Sequence, residues 1–153
     1  TMEFDKIDKR LLLLLQSDCK VTTKQLSLQL NLSVTAVYER IKKLEKSGVI
    51  KKYVALINKE KVNKAFVVFC HIKLVQHSNE YLTRFESEVV QLEEVLECYN
   101  VSGEYDYILK VVVKNMKAYR EFINTKLTKL QHIGSTHSIF IISELKNSNV
   151  ILV

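Results

Sequence analysis

The sequence predicts an α+β fold in two parts, an N-terminal helical module and a C-terminal module of four strands and two helices. Three observations support this prediction. Two short amphipathic helical patterns separated by a three-residue corner lie between Thr22 and Gly48, which describes a helix-turn-helix. From Ala65 onward, runs rich in valine, isoleucine and phenylalanine alternate with helical patterns in the order β-α-β-β-α-β. Basic residues are concentrated in the first part.

A first helix is predicted in the segment DKIDKRLLLLLQ, residues 5–16. Asp5 or Asp8 lies near its N-terminus, where negative charge is favourable. Its inward stripe is formed by Ile7, Leu11, Leu14 and Leu15. We expect this helix to pack under the helix-turn-helix.

Local signals mark the ends of the two helices of the helix-turn-helix. Thr22 and Gln25 fit a capping box at the start of the first helix. Asn31 can end that helix in a left-handed conformation, and Ser33 is a good N-cap for the next helix. Gly48 lies where a C-terminal glycine is typical.

The second of these helices has an apolar face and a basic outer face. Val37, Ile41 and Leu44 recur on the apolar face. The outer face holds Thr35, Tyr38, Glu39, Lys42, Lys43 and Lys46. An amphipathic helix pair is common in any helical core, and a basic face is often only a solvated face. The distribution of charge along the chain is therefore needed to distinguish a binding helix from an ordinary helical core with a solvated face.

The charge is uneven along the chain. The 153 residues carry a net charge of +6, and residues 1–64 hold 14 Lys and Arg against 7 Asp and Glu, a net of +7. Residues 65–153 hold 9 against 10, a net of −1. A basic module joined to a neutral remainder indicates binding to a polyanion such as duplex DNA. A basic helix of this kind docks in the major groove.

After Gly48, the segment 50–57 has room for a strand with a small wing, which makes the first module a winged helix-turn-helix. Lys51 and Lys52 would then lie beside the second helix and contact phosphates. The polar stretch NKEKVNK reads as a linker. The predicted domains are therefore residues 1–57, a linker at 58–64, and residues 65–153.

The second module predicts a ferredoxin-like βαββαβ domain, an antiparallel sheet with both helices on one side. Its strands are predicted in AFVVFCHIKLV, VLECYNVSG, YDYILKVVV and SIFIISELK. YILKVVV and FIISEL are apolar on both faces, whereas the strands of a sheet with one solvent-exposed face should alternate apolar and polar residues. Two apolar faces predict a homodimer through this domain. The apolar last residues, NSNVILV, have no firm explanation, and docking on a neighbouring subunit is one possibility.

Other features limit the class of protein. Apolar content is 47% and charged content 26%, ordinary values for a globular protein. No apolar run approaches the ~18 residues of a membrane span, so no membrane partner is expected. The start, TMEFDKID, lacks the apolar centre of a signal peptide, and three widely spaced cysteines argue against a disulfide framework. A cytoplasmic location is expected.

The chain resembles the Lrp/AsnC (feast/famine) family of transcriptional regulators over essentially its whole length. The matching pieces are DKIDKRLLLLLQSD, LSLQLNLSVTAVYERIKKLEKSGVIKKYVA and VSGEYDYILKVVV. The resemblance implies a winged helix-turn-helix followed by a regulatory domain of the RAM type, dimers that assemble further, often to octamers, and sensing of amino acids. Asn31 and Val34 stand where the family often has Gly and Pro, and the linker lacks the usual Pro and Gly.

The resemblance makes Ser33–Lys43 the recognition helix. With the basic and capping residues named above, the residues expected to contact DNA are Thr22, Thr23, Lys24, Ser33, Thr35, Ala36, Tyr38, Glu39, Arg40, Lys42, Lys43, Lys51 and Lys52. Two roles stay open for Arg40, because arginine reads guanine well but this one falls beside Ile41 and could pair with neighbouring acidic residues.

The resemblance also implies an effector pocket. The residues expected there are Gly103, Glu104, Tyr105, Asp106, Thr136 and Ser138. Asp106 could bind the ammonium of an amino acid, while backbone N–H groups near Gly103 and the two hydroxyls could bind its carboxylate. The alternative is a plain hairpin turn with Gly for positive φ and Asp for local capping.

Catalysis is not expected, since no nucleophile–base constellation or metal-ligand spacing is present. A haem-pathway decarboxylase-like enzyme shares this architecture, but it would need a cationic pocket, and the second module has only Arg84 and Arg120. RNA-recognition domains have the same strand order, but they carry exposed aromatic and basic residues on the sheet. No cofactor is implied beyond an amino-acid effector.

Overall fold

The computed structural model of the protein describes residues 3–153; Thr1 and Met2, the start of the first predicted domain, lie outside this range. The chain forms two units. The first, here called the helical unit, runs to Leu56 and includes Leu145–Val153, and the second, the sheet unit, is Ile57–Glu144. The last nine residues therefore lie with the helical unit, whereas the sequence assigned them to the sheet domain.

The helical unit contains three helices: α1 (Lys6–Ser17), α2 (Thr23–Leu30) and α3 (Val34–Lys46). Their apolar faces form one core, in which Leu11, Leu26 and Val37 are fully buried. This burial explains why three short helices are stable together, since most helical stability comes from packing an apolar face.

The ends of α2 and α3 are fixed by the local interactions that the sequence predicts. The Thr22 hydroxyl accepts a hydrogen bond from the Gln25 N–H, and the Gln25 side chain accepts one from the Thr22 N–H, which confirms the capping box. Asn31 is left-handed at φ 53 and ψ 49, and Ser33 caps α3. Gly48 has φ +76, as expected for a residue that follows a helix C-terminus.

The segment after Gly48 does not form the strand that the sequence predicts for the wing. Lys51–Asn58 contains no helix or strand. A strand needs a hydrogen-bonded neighbour, and the sheet formed by the described residues contains only strands of the sheet unit.

The sheet unit confirms the β-α-β-β-α-β order. Its elements are β1 (Phe66–Leu74), α4 (Asn79–Val89), β2 (Val95–Asn100), β3 (Tyr107–Val113), α5 (Met116–Thr125), a short 3₁₀ turn (Leu127–Lys129) and β4 (Ile133–Phe140). The sheet is antiparallel with the order β2-β3-β1-β4, as in a ferredoxin-like fold.

The two faces of the sheet differ. Val68, Cys70 and Ile72 of β1 share a core with Phe85 of α4 and Phe122 of α5, so both helices cover one face. The opposite face, here called the open face, carries the alternate residues of each strand. Its members by register include Phe69, His71, Ile108, Lys110, Val112, His137, Ile139, Glu97 and Tyr99.

The last strand differs from its prediction. β4 begins at Ile133 and ends at Phe140, five residues earlier than predicted at its start, and Ile141–Lys146 lies beyond it. Ile142 and Leu145 are therefore exposed and belong to neither sheet face. β3 is apolar on both faces, as predicted, because Ile108 and Val112 lie half-buried on the open face. FIISEL is not, because all of it after Phe140 lies beyond β4.

Candidate DNA-binding surface and effector pocket

The N-terminal half of α3 presents the residues predicted to meet base edges. The Ser33 hydroxyl accepts a hydrogen bond from the Ala36 N–H at 3.1 Å, so this side chain already has a structural role. Thr35, Tyr38 and Glu39 are exposed beyond it. A capped helix with exposed side chains in its first turns matches the way a recognition helix meets a groove.

The C-terminal half of α3 carries lysines that are partly held by their neighbours. Lys42 Nζ lies 2.9 Å from a Glu45 carboxylate oxygen and 5.5 Å from the Tyr38 ring centroid. The other Glu45 oxygen accepts a hydrogen bond from the Tyr53 hydroxyl at 3.1 Å. Burial, followed by this carboxylate, raises the pKa of Tyr53 to about 12. Lys43 is exposed.

Arg40 lies against α1. Its Nη1 atom is 2.8 Å from an Asp5 carboxylate oxygen and 2.6 Å from one of Asp8, and Asp8 is buried. The Asp8 N–H, followed by the Arg40 guanidinium, lowers the pKa of Asp5. Of the two roles that the sequence leaves open for Arg40, the geometry favours ion pairing, although with α1 rather than with a neighbour on α3.

The remaining predicted DNA contacts also lie in the helical unit. Thr22 is occupied by the capping box and Thr23 is half-buried, while Lys24, Lys51 and Lys52 are exposed. Lys46 is exposed as well and belongs with this group, although the predicted set omits it.

A cavity of about 560 Å³ lies near the β2–β3 turn of the sheet unit. Its lining includes Glu104 and Tyr105 from the predicted effector set. The other lining residues are His71, Asn100, Val101, Ser102 and Ile108. These residues are absent from the predicted effector set, although the alternation of β1 places His71 on the face opposite Cys70.

Aromatic side chains meet beside this cavity. The rings of His71 and Tyr105 contact edge to face at 4.9 Å, and His137 lies 6.1 Å from each of them. His71 Nδ1 is buried and has no hydrogen-bond partner among the described residues.

Both carboxylate oxygens of Asp106 have partners within the protein. One carboxylate oxygen accepts a hydrogen bond from the Leu74 N–H at 2.7 Å, and the other lies 2.8 Å from Nε2 of His77. Burial opposes ionisation, but the Leu74 N–H and the His77 ring outweigh it and lower the pKa of Asp106. This geometry matches the alternative of a structural hairpin, in which Gly103 adopts φ +110.

Thr136 and Ser138 are not brought to the cavity. In the register of β1 and β4, Ser138 lies opposite Cys70 and His137 opposite His71, so the two hydroxyls belong to the helix-covered face. The Ser138 hydroxyl contacts the Tyr119 hydroxyl at 2.5 Å.

Neither a membrane span nor a metal cluster is evident between residues 3 and 153. No helix there is long and apolar enough to cross a membrane, and no group of three or more His, Cys, Asp or Glu residues could hold a metal ion.

A capped helix-turn-helix with an exposed basic second helix, on one chain with a ferredoxin-like domain, defines the class of two-domain DNA-binding regulators. Residues 4–51 match a winged helix-turn-helix DNA-binding family, and residues 67–151 match the Lrp/AsnC ligand binding domain. The chain belongs to the Lrp/AsnC family, which confirms the resemblance and the fold class. It is a transcriptional regulator with a DNA-binding domain and a ligand-binding domain.

Full-length relatives agree with this assignment. The leucine-responsive regulatory protein of Klebsiella pneumoniae is 35% identical over 99% of this chain and 92% of its own length. An AsnC family transcriptional regulator from Agrobacterium tumefaciens is 36% identical, with a TM-score of 0.92 over 97% of this chain and 96% of its own. A transcriptional regulator from Neisseria meningitidis, solved as a complex with L-Met, is 28% identical with a TM-score of 0.93 over the same shares. These matches do not favour the decarboxylase alternative.

Proposed function

We propose that this regulator binds duplex DNA through the exposed side of α3, with Lys42, Lys43, Lys51 and Lys52 contacting phosphates. The observation that carries this proposal is the concentration of exposed lysines in the helical unit, next to a recognition helix capped by Ser33. Neutralising phosphates releases counterions, so these lysines supply affinity without sequence choice. Thr35, Ala36 and Tyr38, in the first turns of α3, then lie nearest the base edges.

The Lys42–Glu45 ion pair does not oppose this role. Both side chains lie at the surface, where such a pair contributes little because water and salt screen it. A phosphate can therefore replace Glu45 as the partner of Lys42.

The salt dependence of binding tests the proposal. In the variant with Lys42→Ala and Lys43→Ala, DNA affinity should fall for every duplex, and the slope of log affinity against log salt should flatten by about 2 per bound chain. Fluorescence anisotropy with a labelled duplex measures both quantities. Lys114→Ala with Lys117→Ala removes the same charge from exposed positions of the sheet unit and serves as the matched control. An unchanged slope in the α3 variant would refute the placement.

We also infer that the open face is covered by a second copy of the chain. Ile108 and Val112 lie half-buried on this face, and Ile139 is 44% exposed there. The face also carries the Lys110–Glu97 ion pair at 2.9 Å, so it combines apolar residues with polar groups, as interfaces commonly do. The two recognition helices of the dimer would then bind two half-sites. The distance between the half-site centres would be about 34 Å, which is one turn of the DNA helix, or a multiple of that distance. Assembly to an octamer stays a prediction of the resemblance.

For the effector, we propose an amino acid bound in the cavity beside the β2–β3 turn. Glu104 carries a carboxylate at this cavity, so it replaces Asp106 as the proposed partner of the ammonium. The rings of Tyr105 and His71 supply a surface for the side chain of the amino acid. The Neisseria relative, solved with L-Met, supports an amino acid as the class of ligand.

Calorimetry with a panel of amino acids tests this assignment. Wild type should bind at least one of them, and Glu104→Gln should weaken that binding by about 1.5–3 kcal/mol because a charge-assisted hydrogen bond is lost. Glu60→Gln removes an exposed carboxylate from the linker region and should leave binding unchanged. Equal binding by wild type and the Glu104 variant would show that Glu104 does not bind the ammonium. No binding of any amino acid by wild type would indicate an effector-independent regulator.

A further inference from the structure

A largely apolar groove in the helical unit lies beside α1, and Lys51 and Lys52 also line it. With the C-terminal segment in place, about 670 Å³ of the groove stays open, and its walls include Leu12 and Leu15 of α1 with Val49, Val54 and Leu56 from the segment that follows α3. We call it the tail groove, because residues of the C-terminal segment complete its lining.

The C-terminal segment meets this groove with every second residue. Asn149, Ile151 and Val153 line it, whereas Val150 and Leu152 do not. A period of two is that of an extended peptide whose alternate side chains point to one side.

The Gln16 side chain of α1 makes two hydrogen bonds to the backbone of this segment. The Gln16 amide donates from Nε2 to the Ile151 carbonyl oxygen at 3.0 Å, and its Oε1 atom accepts from the Ile151 N–H at 2.7 Å. Gln16 therefore satisfies both backbone groups of Ile151, as a neighbouring strand would do. Recognition of an extended peptide through its main chain, with pockets for alternate side chains, is a recurring binding mode.

The contacts between the C-terminal segment and the tail groove are largely exposed to solvent. Ile151 is 73% exposed and Leu152 82% exposed, so little apolar surface is buried and the backbone hydrogen bonds are accessible to water. Contacts of this kind open and close readily compared with those of a buried core.

From these contacts we propose that the tail groove is a peptide-binding site whose occupant is the chain's own segment Asn149–Val153, held as a reversible latch by Gln16. The preferred ligand is an uncharged, extended aliphatic peptide, because NSNVILV contains no charged side chain. The chain passes between the two units at Leu56–Ile57 and again at Glu144–Leu145. The proposal does not depend on DNA or effector binding.

Amide hydrogen exchange in the full chain tests the latch directly. In wild type, NMR should show the Ile151 amide exchanging at least about tenfold more slowly than in the free peptide NSNVILV. Gln16→Leu should return it to the free rate. Gln29→Leu, at an exposed position of α2, is the matched control and should leave the protection intact. Free-peptide exchange in wild type, or protection that survives Gln16→Leu, would overturn the proposal.

Peptide competition then tests the groove as a binding site. A chain ending at Lys146 should bind labelled NSNVILV at least ten times more tightly than the full chain, in which the attached segment competes. The same peptide with Ile151→Pro should not bind, because proline lacks the N–H that Gln16 accepts. Circular dichroism and thermal melting verify that the shortened chain is folded; if it is not, the exchange measurement decides. Equal binding to both chains, or binding to neither folded chain, would contradict the proposal.

Discussion

Asp106 connects the turn between β2 and β3 to the end of β1. Its carboxylate accepts a hydrogen bond from the Leu74 N–H and contacts the His77 ring, and its own N–H donates to the Ile72 carbonyl at 2.9 Å. Asn100 adds a bond from Nδ2 to the Asp106 carbonyl oxygen at 3.1 Å. A residue with this many structural partners fixes the shape of the turn and therefore the position of Glu104 and Tyr105.

Replacing Asp106 tests this role through pH. Its folded-state pKa is lowered, so the carboxylate stabilises the folded protein above its usual pKa of about 4, and this contribution is lost as pH falls through the lowered pKa. Asp106→Asn should cost about 1–2 kcal/mol of unfolding free energy at pH 7. The difference from wild type should shrink as pH falls below about 4. Urea unfolding at several pH values measures it, with Glu60→Gln as control. A pH-independent difference would show that the ionised Asp106 carboxylate does not supply this stability.

Arg40 is expected to orient α3 rather than read a base. A double-mutant cycle with Arg40→Met and Asp8→Asn should give a coupling energy of about 1 kcal/mol in urea unfolding, because the pair is partly buried. Duplexes selected from a random pool by Arg40→Met should share the motif selected by wild type. A lost preference at one base position would show instead that Arg40 reads a base.

At the residue scale, the sequence predicts hydrogen bonds between residues that are close along the chain. It does not predict hydrogen bonds between residues that are far apart along the chain. The Thr22–Gln25 box and the Ser33 cap span three residues, so they are visible in the sequence. Arg40 with Asp8 and Asp106 with Leu74 each span 32 residues. Only the tertiary structure brings these pairs together.

The corner between α2 and α3 depends on one residue. Asn31 closes α2 in the left-handed conformation, which asparagine adopts at lower cost than most residues other than glycine. Asn31→Ala should lower the free energy of unfolding by about 1 kcal/mol, whereas Asn31→Gly should change it by only a few tenths. Chemical denaturation measures both variants. Equal losses in the two would show that the Asn side chain, rather than its backbone conformation, stabilises the corner.

Elements with strong local patterns were predictable, and elements defined by pairing were not. The helices and the β-rich runs of β1 and β3 follow from apolar periodicity. β4 begins with IGSTH, in which Gly134 and Ser135 interrupt the strand-forming residues Ile133 and Thr136, and it forms because β1 offers hydrogen bonds from Leu74 onward. The apolar run IISEL looks like strand but extends past the register with β1, where Val68 pairs with Phe140.

At the scale of the whole molecule, charge is distributed unevenly along the chain. The basic residues lie mainly within residues 1–64, and the open face of the sheet carries apolar residues such as Ile139, which is 44% exposed. If the sheet units associate as proposed, two DNA-binding units can be placed on one duplex, and specific DNA binding by this chain is then expected to depend on dimerisation.

A charge placed on the open face should separate the proposed dimer. Ile139→Lys puts an ammonium group opposite Phe69, where burial against a second copy would leave it unpaired. Sedimentation at micromolar concentration should show wild type as a dimer or larger and this variant shifted toward monomer, with affinity for a two-half-site duplex reduced accordingly. Val90→Lys, at a residue 58% exposed at the end of α4, makes the same change away from the open face and should preserve the assembly. A monomeric wild type, or an Ile139 variant that assembles normally, would require the second copy to contact another surface.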